Sequence, residues 1–274
     1  MTSTPAGWFP EWEGSDTLRW WDGQAWTEHV VVRAPEPLPP HPTFPVWAAV
    51  GGLLALAVPL VLSRPILSAI VEWNLPIAAY IAITGAIAYG PTVWWWSIVS
   101  RRYGTGRWSA DVGLRVLRAD AGWGPLTWVS CLGAQAAVGA LVLAFDIPLQ
   151  GNTDAIREST KTAAFVIPMV VLAVVLAPFV EEVLFRGIVL RGLLSRMGAA
   201  PAIALQAVLF GVAHVDPERG AGNIGLVLVL SAVGAVLGVY TYWKRRLGPA
   251  IIGHAILNAV AMTIALSGWT PESQ

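Results

Sequence analysis

Residues Thr162–Val180 read TAAFVIPMVVLAVVLAPFV, a run without a single ionisable side chain that is followed at once by Glu181 and Glu182. About 20 consecutive apolar residues suffice for a helix to cross a bilayer, so this stretch reads as a membrane span with two carboxylates at its end. Similar runs recur on both sides of it. They cover approximately Val46–Ser63, Leu75–Ser100, Trp123–Phe145, Ala199–Ala213, Gly222–Trp243 and Leu247–Gly268. Only 12% of the 274 residues are charged and 55% are hydrophobic, against about 25% charged in an average soluble chain. The expected fold is therefore all-α, a polytopic transmembrane bundle of seven to eight helices.

Ten basic residues flank one side of these spans: Arg101, Arg102, Arg107, Arg115 and Arg118 after the second, Arg191 and Arg196 after the fourth, and Lys244, Arg245 and Arg246 after the sixth. Cytoplasmic loops carry the excess of Lys and Arg. Alternation then places the N-terminus in the cytoplasm and Asp146, Asp154, Glu158, Asp216 and Glu218 outside. The expected location is the plasma membrane. The first 45 residues show no apolar core behind basic residues, so no signal peptide is expected. The balance of 17 basic and 17 acidic residues offers no patch for a phosphate backbone, and no nucleic-acid partner is expected. The single cysteine, Cys131, sits among apolar neighbours and reads as a buried small hydrophobe.

Ahead of the bundle, residues 1–32 are rich in Trp (8, 12, 20, 21 and 26), with Asp22-Gly23 between two aromatic runs. That pair predicts a hairpin, and the stretch reads as a two- or three-stranded ribbon. The Pro-rich linker over 33–45 favours polyproline II. The bundle occupies 46–274. Trp94, Trp95, Trp96, Trp108 and Trp123 read as an interfacial belt, the first three spans offer no chemistry, and His29 and His41 read as surface residues.

Ionisable residues inside apolar spans are costly and mark function. Glu182 and Arg186, four apart, share a helix face and can pair, while Glu181 points about 100° away and is left to act as a general base toward water. His214 could share that water. His254 and Asn258, again four apart, could donate to one oxygen as an oxyanion hole. Bland alternatives exist for each: a helix-stabilising pair for Glu182 and Arg186, a solvated helix end for Glu181, an interfacial His214, and polar glue between helices for His254 and Asn258.

Taken together, Glu181-Glu182-x-x-x-Arg186, Phe210-x-x-x-His214 and His254-x-x-x-Asn258 resemble the motifs of the CPBP family, the CAAX prenyl endopeptidases and bacteriocin-processing or immunity proteins also called Abi. The resemblance covers about 162–267. It implies an intramembrane endopeptidase that cuts membrane-associated or lipidated polypeptides, with Glu181 and His214 activating water and His254 and Asn258 holding the oxyanion. No cofactor is expected; the alternative is Zn²⁺ on Glu181, His214 and His254. Simple counting puts Glu181 and His214 near opposite membrane faces unless the fourth helix runs on through Arg186 toward Arg191 and the short fifth helix is sunk in the bundle. Eight helices would require a further segment, such as Arg107–Ala121 or Arg186–Met197. The competing function is a non-proteolytic immunity or binding protein with the same fold. A transporter fits less well, because no internal repeat is visible. The N-terminal Gly7-Trp8-Phe9-Pro10 and Trp20-Trp21-Asp22-Gly23-x-x-Trp26-Thr27 resemble a short bacterial module of unknown function.

Overall fold

The computed structural model describes residues 4–12, 17–32, 44–159 and 161–267, so most of the Pro-rich linker, with His41, lies outside the described residues. Contacts divide the chain into two units, 1–41 and 42–274.

In the first unit β1 (Gly7–Pro10), β2 (Thr17–Trp21) and β3 (Trp26–Val32) form an antiparallel sheet in sequence order. The β2–β3 turn forms where expected: Gly23 has φ 99°, and Asp22 Oδ1 accepts the backbone N–H groups of Gln24 and Ala25, both at 2.7 Å. So small a sheet has no second layer to bury its aromatics. They stack on each other instead, Trp8 on Trp20 at 5.3 Å and Trp21 on Trp26 at 5.2 Å between ring centroids. His29 is exposed.

The second unit is helical. Its elements are α1 (Val46–Leu62), α2 (Arg64–Val71), α3 (Ile77–Tyr103), the short α4 (Trp108–Asp111), α5 (Asp120–Ala144), the short α6 (Asp154–Glu158), a long α7 (Ala163–Leu194), α8 (Ala199–Val212), α9 (Asn223–Lys244) and α10 (Gly248–Ser267). Five of them, α3, α5, α7, α9 and α10, are long and apolar enough to cross a bilayer, or six spans if α1 and α2 form one crossing bent by 48°. The count falls below seven because α8, at 14 residues, is only about 21 Å long against a hydrocarbon core of about 30 Å. Neither segment expected to supply an eighth helix does so. Residues 108–111 make one helical turn, and 186–194 continue α7.

That continuation decides the site. The fourth span does not stop at Val180 but runs 32 residues to Leu194, so Glu181 lies near its middle. Two π-helical stretches, Val171–Leu176 and Val183–Val189, flank the glutamates. Small residues let the neighbouring helices close in. A Cβ on Gly234 of α9 would come within 3.1 Å of Ala207 on α8, and one on Gly253 of α10 within 2.9 Å of Thr127 on α5.

The core lies behind the glutamates, where Val183, Phe185, Ile188, Val189 and Leu247 are fully buried. Cys131 is buried, as the sequence predicts. Trp94 and Trp108 are exposed, as an interfacial belt requires, but Trp96 is 4% exposed and packs in the core, and the Trp95 indole donates to the Ala48 carbonyl at 2.9 Å. Those two tryptophans hold α3 on α1 rather than facing lipid.

Candidate active site

Glu182 and Arg186 form the expected i,i+4 pair at 2.8 Å, both fully buried. Arg186 also donates to the Gly234 carbonyl at 3.1 Å and lies 4.5 Å over the Phe210 ring. The guanidinium thereby links α7 to α9 and α8. Glu182 Oε1 has a second partner, His254 Nδ1, at 2.8 Å. Since Oε1 belongs to the ion pair, the imidazole donates at Nδ1 and its Nε2 faces the other way.

Nε2 of His254 faces Glu181. It stands 3.9 Å from Glu181 Oε2, and Nε2 of His214 stands 3.9 Å from the same oxygen. His214 is held by its Nδ1, 2.8 Å from the Phe210 carbonyl, which can only accept. The two imidazoles are thus fixed from behind, one by a carboxylate and one by a backbone carbonyl, and both turn Nε2 to one carboxylate oxygen. Phe210 lies between them, with ring centroids 4.8 Å from His214 and 5.7 Å from His254.

The other Glu181 oxygen is fixed by a residue that the sequence did not reveal. Tyr89 of α3 donates its hydroxyl to Glu181 Oε1 at 2.9 Å, so the first three spans do contribute to the site. The signal available was a phenol in mid-span, remote from the interfaces where membrane tyrosines usually lie.

Asn258 lines the same cavity as Glu181, His214 and His254. Its Nδ2 donates to the Ala173 carbonyl at 2.8 Å. In the first π stretch the Ala177 N–H bonds back five residues to Leu172. The equivalent donor for Ala173 would be Pro178, which has no N–H. Asn258 supplies the missing donor and ties α10 to α7 where Pro178 widens it. An amide nitrogen carries two hydrogens, so one remains for a ligand of the cavity.

Zinc bound tetrahedrally at about 2.0–2.1 Å holds its ligand atoms about 3.3–3.4 Å apart. The two 3.9 Å separations exceed that, and among the described residues no three His, Cys, Asp or Glu side chains are placed to hold a metal ion. The residues as placed do not fit the ion. A water at about 2.8 Å from Oε2 and one Nε2 would see them about 90° apart, which a hydrogen-bonded water tolerates.

Comparison with known proteins falls on this part of the chain. Residues 163–260 match the Rce1-like type II CAAX prenyl endopeptidase family. The Rce1-like segment contains Glu181, Glu182, Arg186, His214, His254 and Asn258, while Tyr89 lies outside it. A curated relative, "Putative membrane peptidase YdiL" of Bacillus subtilis, is 24% identical over 158 residues, which make up 57% of this chain and 59% of the relative. The chain thus spans about three-fifths of that relative's length. No solved structure matches. Residues 6–42 match a family described as a protein of unknown function (DUF2510), in agreement with the resemblance of the Trp-rich module. Matched family and apolar helices together make this a multi-pass membrane protein.

Proposed function

We propose that the chain is an intramembrane endopeptidase in which Glu181 activates water without a metal. One observation carries the reading: two imidazole nitrogens, each anchored on its far side, stand 3.9 Å from one Glu181 oxygen, a gap that fits one water. The Rce1-like match supports peptide hydrolysis, and the apolar bundle supports a membrane-associated polypeptide as substrate.

Counting protons assigns the roles. With both Nδ1 atoms committed as donors, a neutral imidazole offers only a lone pair at Nε2. Glu181 Oε2 and two such lone pairs would present three acceptors to a water that has two hydrogens. One more proton is needed. We place that proton on Nε2 of His254, whose Nδ1 is backed by the Glu182 carboxylate. The water then donates to Glu181 Oε2 and His214 Nε2, accepts from His254 Nε2–H, and keeps one lone pair for attack.

In the reaction Glu181 takes a proton from this water as its oxygen bonds to the substrate carbonyl carbon. The π electrons move onto the carbonyl oxygen, and the His254 Nε2–H leaves the water oxygen to donate to it; such a donor is worth about 3–4 kcal/mol. The C–N bond then breaks, and the proton held by Glu181 goes to the leaving amine. Tyr89 keeps Oε1 occupied and so orients Oε2. Asn258 positions α10 and offers its second N–H to the substrate.

Hydrolysis of membrane-anchored peptides by the purified protein in bilayers tests this. Activity that survives exhaustive chelation is expected. Loss of activity on chelation with specific recovery on adding zinc would overturn the metal-free mechanism.

A further inference from the structure

The lining of the active cavity has a direction. On α7 it steps from Glu181 back through Ala177, Ala173 and Leu172 to Met169, about 18 Å along one face. On α10 it runs from His254 away from the helix start to Leu257 and Asn258, and it reaches Asn152 in the connection between α5 and α6. That connection belongs to the same end of the bundle as the start of α9, to which it is joined by Gln150 N–H to Gly222 O (3.2 Å) and Gly225 N–H to Pro148 O (3.0 Å). Toward the opposite end the cavity has a floor. Glu182, Arg186, Phe185 and Ile188 are 0% exposed, and Val112 and Leu247 close the layer beneath at 1% or less.

Below that floor lie the arginines. Arg191 donates to the Asp111 carbonyl at 2.8 Å and Arg246 binds Asp120 at 2.6 Å, which gathers the last turn of α3, with Arg101 and Arg102, and the loop bearing Arg115 and Arg118 at this end. An arginine-rich end is cytoplasmic. We infer that the catalytic cavity opens on the extracytoplasmic face and that its substrate is an extended, uncharged segment of an exported or outward-facing polypeptide, not a cytoplasmic C-terminal tail. This rests on the protease reading only for the word substrate; the direction of the cavity stands by itself. Extended conformation follows from size, since a cavity of about 220 Å³ cannot take a helix some 10–12 Å wide. Absence of charge follows from the walls, which between the mouth and Glu181 are Met169, Leu172, Ala173 and Leu257. An extended backbone needs hydrogen-bond partners, and Asn152 at the mouth and Asn258 within supply them.

The test uses the full chain in cell membranes with Cys131→Ala, which removes the sole thiol. Single cysteines Asn152→Cys, Met169→Cys and Arg196→Cys are exposed to a membrane-impermeant maleimide in spheroplasts and in inverted vesicles. The first two are expected to label in spheroplasts and to lose the label in inverted vesicles, with Arg196→Cys showing the reverse. Labelling of Met169→Cys only in inverted vesicles, its silence in both, or labelling of Arg196→Cys in spheroplasts would overturn the inference. Terminal proteomics of cells carrying Glu181→Gln separates the two claims. Glu181-dependent cuts confined to outward-facing segments support both, and cuts in cytoplasmic tails sink the sidedness alone. If no cut depends on Glu181, the protease reading and the assigned substrate fall, while the labelling still decides the direction of the cavity.

Discussion

Replacing Arg186 with Met should unfold the site before it affects anything else. The side chain is 0% exposed and serves three partners at once: Glu182 at 2.8 Å, the Gly234 carbonyl at 3.1 Å and the Phe210 ring at 4.5 Å. Arg186→Met keeps much of the volume but leaves the Glu182 carboxylate buried with His254 as its only remaining partner; Glu182 Oε2 already has none among the described residues. Breaking a buried pair by removing one member costs about 3–5 kcal/mol. For a domain of this size each kcal/mol is worth about 2–4 °C, so melting should fall by roughly 6–20 °C.

Cys131 provides the probe, being the sole thiol and 0% exposed, and a maleimide dye that fluoresces on reaction reports unfolding as temperature rises. Glu181→Gln keeps an acceptor for Tyr89 and should melt within about 3 °C of the parent, because its carboxylate is partly exposed and outside the pair. Glu182→Met with Arg186→Met should cost less than the sum of the single changes, since removing both members of the ion pair strands neither charge and leaves only the His254 Nδ1–H without its acceptor. Melting of Arg186→Met within about 2 °C of the parent, or strict additivity in the double variant, would refute the division of labour between the adjacent glutamates.

Two further outcomes follow from single contacts. Asn258→Ala strands the Ala173 carbonyl and should cost about 1–3 kcal/mol in thermal unfolding, with Asn258→Asp no better because a carboxylate cannot donate to that carbonyl. Asp111, at the end of the short α4 outside the spans, accepts from the Ser100 hydroxyl and from the Thr105 hydroxyl and N–H; burial alone would raise its pKa, but these bonds outweigh it and hold the carboxyl below its ordinary 3.8. The carboxylate therefore stabilises the fold fully above pH 3.8 and ceases to as pH falls through the lowered value. Calorimetry should find Asp111→Asn less stable than the parent at pH 6.5, with the gap narrowing below about pH 4; a gap independent of pH would contradict this.

Helical periodicity alone separates Glu181 from the Glu182–Arg186 pair, which is why that part of the site was legible in the sequence. Proximity of three motifs on α7, α8 and α10 was implied by the resemblance, but the distances were not, because simple counting ended the fourth helix at Val180. The buried ion pair is what lets α7 continue through its charged motif. Tyr89 stayed hidden because nothing periodic in α3 marks it; only the packing of α3 on α7 brings its hydroxyl to Glu181. The second role of Asn258, toward Ala173, stayed hidden for a related reason. Its bond to Ala173 exists because π-helical register sets Pro178 opposite that carbonyl, and register is invisible before the helix is built. Trp95 and Trp96 followed the membrane rule for aromatic residues in composition but not in place, since α1 rather than lipid covers them.

Most direct is a comparison of peptide-bond hydrolysis by the parent protein and by Glu181→Gln, both purified into bilayers and both shown by Cys131 protection to be folded. The account predicts cleavage by the parent and none by the variant. Cleavage by Glu181→Gln at the parental rate would mean that the water is activated elsewhere.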